Sequence, residues 1–429
     1  MVAVGLLVPA LASSATAQAK PNASEIGISA TEMRLAVVAD VNTPLQPGLF
    51  QSAVTVMNAW ARTVNEHGGI AGRRVVIDFI DSQLNPNDTR NAIIRACAQD
   101  FAMVGGEALF MNNVDDMVAC KDARGNAVGL PDLPGLAIDS HELCSPVTFV
   151  DRGDASFCAT QNDHPQTYTV QQGDYLYYLR LFKDLHGIFL APGDIQSTRI
   201  AEVPFFQAGI NAGIKKDGAG VYNTSALAPQ SALSPLVAIV KANNSTFVYG
   251  GNTYGTMVLF RREAKLQGVN SVKVWACNEG CYDTQFTEQG GSDVDGQYSW
   301  LNTLPFYSEY KLNPSLAALV RLVGGPQRLN DNGLESWVAA LLFQDAAGRA
   351  VANGGTLDRQ SLLAALATEH NFTAQGIIAP TDVAAHTQPR CFVLAQVRNG
   401  IWVRAYPSKP GTFACSTRNV VQVKTELAG

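Results

Sequence analysis

Residues Asn65–Ala92 read NEHGGIAGRRVVIDFIDSQLNPNDTRNA, a glycine stop, an apolar run and a polar turn in quick succession. Gly68-Gly69 ends the element before it, because glycine takes the left-handed conformation of a helix C-terminus at little cost. Val75-Val76-Ile77-Asp78-Phe79-Ile80 is rich in β-branched and aromatic residues and reads as a strand. Asn85-Pro86-Asn87-Asp88 then turns the chain and offers side-chain oxygens to cap a helix carrying Ile93, Ala96 and Cys97. The stretch is therefore a joint between a helix, a strand and a second helix.

Upstream, Arg34–Ala39 is an apolar run ending at Asp40, and Phe50, Ala53, Met57, Trp60, Ala61 and Val64 follow helical spacing. Downstream, Ala102–Val104 is a short strand. From about Thr167 the alternation restarts, with strands expected at 188–190, 219–222, 246–249 and 272–276 between helices. Continuous apolar strands linked by helices imply parallel sheets covered on both faces. The second run is too long to extend the first sheet, so two lobes are expected. After about Asn302 the chain reads as mostly helical, then ends in strand-like pieces at 391–397 and 401–405.

A chain of 429 residues that is 47% hydrophobic can bury a large core. A net charge of −6 with 16% charged residues provides no broad basic surface, which argues against nucleic acid and against an anionic membrane. Residues 1–19 (MVAVGLLVPALASSATAQA) read as a secretory signal without its basic region, and no segment approaches about 18 uninterrupted apolar residues. The expected product is an exported, periplasmic or secreted protein that does not span the membrane; the first cysteine here is Cys97, so a freely exported form is expected unless the true start, and with it a lipid anchor, lies upstream. Eight cysteines, an even number, suit an oxidising compartment. In chain order they form neighbouring couples, Cys97 with Cys120, Cys144 with Cys158, Cys277 with Cys281, and Cys391 with Cys415, although spacing alone leaves the connectivity open. Neither a metal nor a cofactor is expected. No Gly-x-Ser-x-Gly, His-Glu-x-x-His or Walker pattern is present, which argues against an enzyme.

Ligands of open α/β sheets bind beyond the carboxyl ends of strands, which directs attention to Asp40–Phe50, Gly105–Asn112, Gly250–Tyr254 and Asn278–Cys281. The candidate ligand residues are Gln46, Phe50, Glu107, Leu109, Phe110, Asn252, Tyr254 and Glu279. Six of the eight have a plainer reading: Glu279 as an exposed loop acid, Tyr254 as the first packing residue of a helix, Leu109 and Phe110 as core, Asn252 and Gln46 as turn formers.

The blocks AVVADVNTPLQPGLFQSAV, NEHGGIAGRRVVIDFIDSQLNPNDTRNA, AMVGGEALFMNN, STFVYGGNTYGTMVLFRREAKLQGV and WACNEGC resemble the type I periplasmic binding proteins of the branched-chain amino acid class, relatives of leucine-binding protein. The resemblance implies two Rossmann-like lobes with parallel sheets, a three-strand hinge crossing near residues 166, 301 and 377, and a solute held between the lobes. Lobe 1 would comprise 30–165 and 302–376, and lobe 2 would comprise 166–301 and 377–429. Implied partners are a small-molecule solute and an ABC transporter permease, with the protein itself a monomer; a ligand-sensing receptor on the same scaffold is the alternative. By the same resemblance Glu279 stands where the acid of lobe 2 takes an ammonium group. Glu107-Ala108-Leu109-Phe110 lacks the Ser or Thr that would take a carboxylate, which favours an amine, a cationic or aromatic molecule, or another small polar metabolite.

Overall fold

The computed structural model describes residues 25–43 and 47–425. The signal-like segment and Gln46 lie outside these residues. In the opening stretch, Asn65 acts as a clasp. Its side chain accepts from the Val75 amide at 2.7 Å and donates to the Val75 carbonyl at 2.8 Å, tying the end of the helix Gln51–Glu66 to the strand Arg74–Asp81. Gly69 has φ +77°, and a Cβ there would come within 1.9 Å of the Arg73 carbonyl oxygen, so only glycine lets the chain fold back this tightly. Asn85 caps the helix Pro86–Gln99 by accepting from the amides of Asn87 and Asp88.

Two sheets result. The first runs Arg74–Asp81, Glu32–Ala39, Ala102–Val104, Asp132–Leu133, all parallel. The second runs Ile401–Tyr406, Cys391–Arg398, Gln297–Leu301, Val274–Cys277, Phe247–Gly250, His186–Pro192, Lys215–Thr224. It is parallel from Gln297–Leu301 onward, whereas Cys391–Arg398 and Ile401–Tyr406 are antiparallel additions at one edge. A third, two-stranded antiparallel sheet pairs Gln166–Gln171 with Val420–Thr425, an element the sequence reading did not foresee.

Helix Asp331–Val351 returns to the first sheet. Trp60 Nε1 donates to Gln344 Oε1 at 3.3 Å, and the Trp60 and Phe343 rings meet edge to face at 6.2 Å. Beyond it, the fully buried Arg359 donates to the carbonyls of Cys97 (2.9 Å), Asp100 (2.7 Å), Phe101 (3.2 Å) and Lys121 (2.8 Å). One guanidinium thus satisfies the irregular backbone around a disulfide. The bridges are Cys97–Cys120, Cys144–Cys158, Cys277–Cys281 and Cys391–Cys415. Where the chain passes between the sheets, Thr303 pairs with Ile378, Thr381 Oγ1 donates to the Asp151 carbonyl at 3.0 Å, and Asn302 Nδ2 donates to Asp151 Oδ2 at 3.1 Å.

Gly69→Ala is expected to lower unfolding stability by more than about 2 kcal/mol, since backbone strain and collision add there. Gly68→Ala, with φ +97° but open space around it, should cost only about 1 kcal/mol. Urea denaturation midpoints of the two variants check the difference.

Candidate functional site

Asp40, at the end of strand Glu32–Ala39, is fully buried and accepts from Ser82 Oγ (2.7 Å), the Leu84 amide (2.6 Å) and the Leu109 amide (2.8 Å). It binds together three loops at the carboxyl edge of the first sheet. That edge faces the corresponding loops of the second sheet across a cleft with two connected chambers. The larger, about 370 Å³, is lined from the first sheet's side by Phe50, Leu109, Asp331 and Glu335 and from the other by Asn252, Tyr254 and Glu279. The smaller, about 180 Å³, is walled by Phe157, Tyr168, Phe205, Tyr249 and Trp300. Leu136, Ile138, Ala201, Glu202, Asn278 and Glu279 line both.

At the meeting point lies Arg152. It pairs with Glu279 from the second sheet's loops and with Glu335 from helix Asp331–Val351, and Asp151 stands at 3.9 Å. Burial alone would lower the basicity of Arg152, but Glu279, Asp151 and Asp331 overcome it and hold the guanidinium above its ordinary value. Asp331 is 3% exposed, and neither of its carboxylate oxygens accepts a hydrogen bond from the described residues. Burial, with Glu279 and Asp151 adding repulsion against the pull of Arg152, pushes its pKa up to about 8. Glu202 accepts from Asn278 Nδ2 at 2.7 Å through one oxygen while the other has no partner among the described residues; burial raises it to about 8 despite that bond. Glu279, Asp331 and Glu335 bring carboxylate oxygens within 4.8 Å of one another, the one grouping of metal-ligand type among the described residues. Arg152 already pairs with two of the three, which disfavours a metal ion.

Of the residues singled out in the sequence, Phe50, Leu109, Asn252, Tyr254 and Glu279 line the larger chamber. Asn252 is itself engaged, donating to Thr224 Oγ1 at 3.0 Å and accepting from the Thr253 amide at 2.9 Å. Glu107 and Phe110 do not line either chamber. Glu107 is fully buried behind the cleft, accepting from Ser336 Oγ at 3.2 Å, and burial holds its carboxyl well above the usual range. Phe110 packs half-buried against the core. Sequence reasoning missed Arg152, Glu202, Asp331 and Glu335. The Asp331–Glu335 spacing of four on a helix, which puts both carboxylates on one face, was the available signal.

Two Rossmann-like layers, joined by buried crossings with a cleft between their strand ends, make the fold that of a type I periplasmic binding protein. Residues 206–401 match the family model described as periplasmic binding protein. Among solved structures, a substrate-binding protein of an ABC transporter from Aeropyrum pernix superposes with TM-score 0.68 at 16% identity, covering 91% of this chain and 97% of its own. The leucine-binding protein LivK of Thermotoga maritima gives 0.63 at 15%, covering 87% and 97%. A fatty acid ABC transporter substrate-binding protein from Thermomonospora curvata gives 0.67 at 15%, covering 90% and 97%. No curated protein matches the chain in sequence. The family resemblance drawn from the sequence motifs is thereby borne out.

Two outcomes are expected. Arg152→Ala leaves the buried Glu335 and the half-buried Glu279 without their cation and should cost about 3–5 kcal/mol of unfolding stability, read by urea denaturation. A carboxyl whose folded pKa lies above its unfolded value of about 4 binds protons better when folded. Stability of the ligand-free protein should therefore fall as pH rises from about 5 through the values of about 8 at Glu202 and Asp331. Glu202→Gln should flatten that fall in a pH series of denaturation midpoints.

Proposed function

We propose that the protein is the extracytoplasmic binding subunit of an ABC transporter, capturing a small polar metabolite, an amino acid or a related amine or amide, and presenting it to a permease. The observation that carries this reading is a cleft whose walls come from both sheets, with Phe50, Leu109 and Asp331 opposite Asn252, Tyr254 and Glu279. A solute touching both walls makes contacts that exist only when the lobes are together, and it shifts the equilibrium by that difference in affinity. We assign the hinge to the segments around Asp151, Asn302–Thr303 and Ile378–Thr381, where three passes of chain are tied by buried hydrogen bonds. The lobes implied by the resemblance, 30–165 with 302–376 and 166–301 with 377–429, then meet at a first boundary nearer residue 151, and the protein acts as a monomer. The bound form offers the permease a shape common to any solute that closes the cleft.

Small-angle scattering across a panel of amino acids, amines, amides and organic acids should show a reduced radius of gyration for at least one solute. An unchanged radius for the whole panel would refute capture between lobes. Glu279→Ala should weaken the affinity for a cationic solute by about tenfold or more, measured by calorimetry.

A further inference from the structure

Charge is distributed unevenly in the cleft. Among the residues lining its two chambers stand the carboxyl groups of Asp154, Glu202, Glu279, Asp283, Asp331 and Glu335, and a single cation, Arg152. Arg152 is committed to Glu279 and Glu335. Asp331 remains, nine-tenths buried and more, with neither oxygen partnered among the described residues and within 4.8 Å of the other two acids. With its pKa at about 8, a buried and unpartnered Asp331 stays protonated near neutral pH until a cation supplies the donors that its charged form needs. An anionic solute would instead meet the surplus negative charge directly.

The adjoining chamber adds aromatic surface. Phe157, Tyr168, Phe205 and Trp300 line it alongside Arg152 and Asp154, and the buried Trp300 Nε1 has no partner among the described residues. Both chambers share Ala201, Glu202 and Glu279, so one molecule can lie across the boundary with its head among the acids and its body against the rings. A simple α-amino acid brings a carboxylate, for which the described lining offers neutral donors such as Thr198 and Asn332 but no uncommitted cation. An aliphatic polyamine would leave the ring-walled chamber without an apolar occupant.

We propose that the captured solute is an organic amine with an apolar body, its ammonium group set between Asp331, Glu335 and Glu279 and its body in the chamber of Phe157, Tyr168, Phe205 and Trp300. This rests on the solute-binding reading and specifies the substrate class of the same site. The ammonium donates to the orphaned Asp331 oxygens and neutralises the surplus charge, while the body gains the burial that the aromatic walls offer.

The test is calorimetric titration of the full-length protein with phenethylamine, propylamine, phenylacetate, octanoate and leucine. Phenethylamine should bind at least about tenfold more tightly than propylamine, which lacks the ring, and than phenylacetate, which reverses the charge. Asp331→Asn, nearly isosteric, should lose about tenfold or more for phenethylamine. Ala201→Leu, which narrows the passage, should weaken phenethylamine by a larger factor than propylamine. Tighter binding of phenylacetate, octanoate or leucine than of phenethylamine would overturn the inference, as would equal affinity in Asp331→Asn. So would no heat with any amine; a contraction with some other solute in scattering would then still uphold the binding-protein reading.

Discussion

The cleft depends on one buried guanidinium. Arg152 stands on a chain crossing and pairs on one side with Glu279, carried by the loop after strand Val274–Cys277, and on the other with Glu335, carried by helix Asp331–Val351. It is the only cation among the residues lining the two chambers. Without it two carboxylates would face each other in a region already acidic, and the approach of the two lobes would be opposed by repulsion. Its neighbour Asp151 ties the remaining crossings together through Asn302 and Thr381. Two consecutive residues therefore serve both the chain crossings and the wall of the cleft.

Much of this architecture is visible in local sequence. The joint at Asn65–Ala92 is legible because its determinants are short-range: a glycine that alone tolerates φ +77° beside the Arg73 carbonyl, an apolar strand, and an asparagine cap. The alternation of strand and helix through residue 277 is legible for the same reason. The pairing of Gln166–Gln171 with Val420–Thr425 is not, because its two polar strands lie some 250 residues apart and only tertiary contact selects them. Nor is the antiparallel direction of Cys391–Arg398, since an apolar run has the same composition whichever way it enters a sheet.

The site divides along similar lines. Glu279, Tyr254 and Asn252 were legible because strand ends mark the cleft in any open α/β sheet. Glu107 also follows a strand, yet its side chain turns to Ser336 behind the cleft, a choice made by helix Asp331–Val351 packing there. Arg152 lies in irregular chain, where no periodicity points to a direction. Asp331 and Glu335 sit at the start of a helix, and acids in that position are ordinarily explained by the helix dipole alone.

Arg359 connects distant parts of the chain in another way. Its guanidinium completes the backbone around residues 97–121, although it is translated more than two hundred residues later. Emerging from a ribosome or a translocation pore, the first sheet and the Cys97–Cys120 region must wait, with open carbonyls, for the helices at 331–366 to arrive. Order of synthesis and order of assembly thus part company, and the amino-terminal half is held unfinished until nearly the whole polypeptide is free.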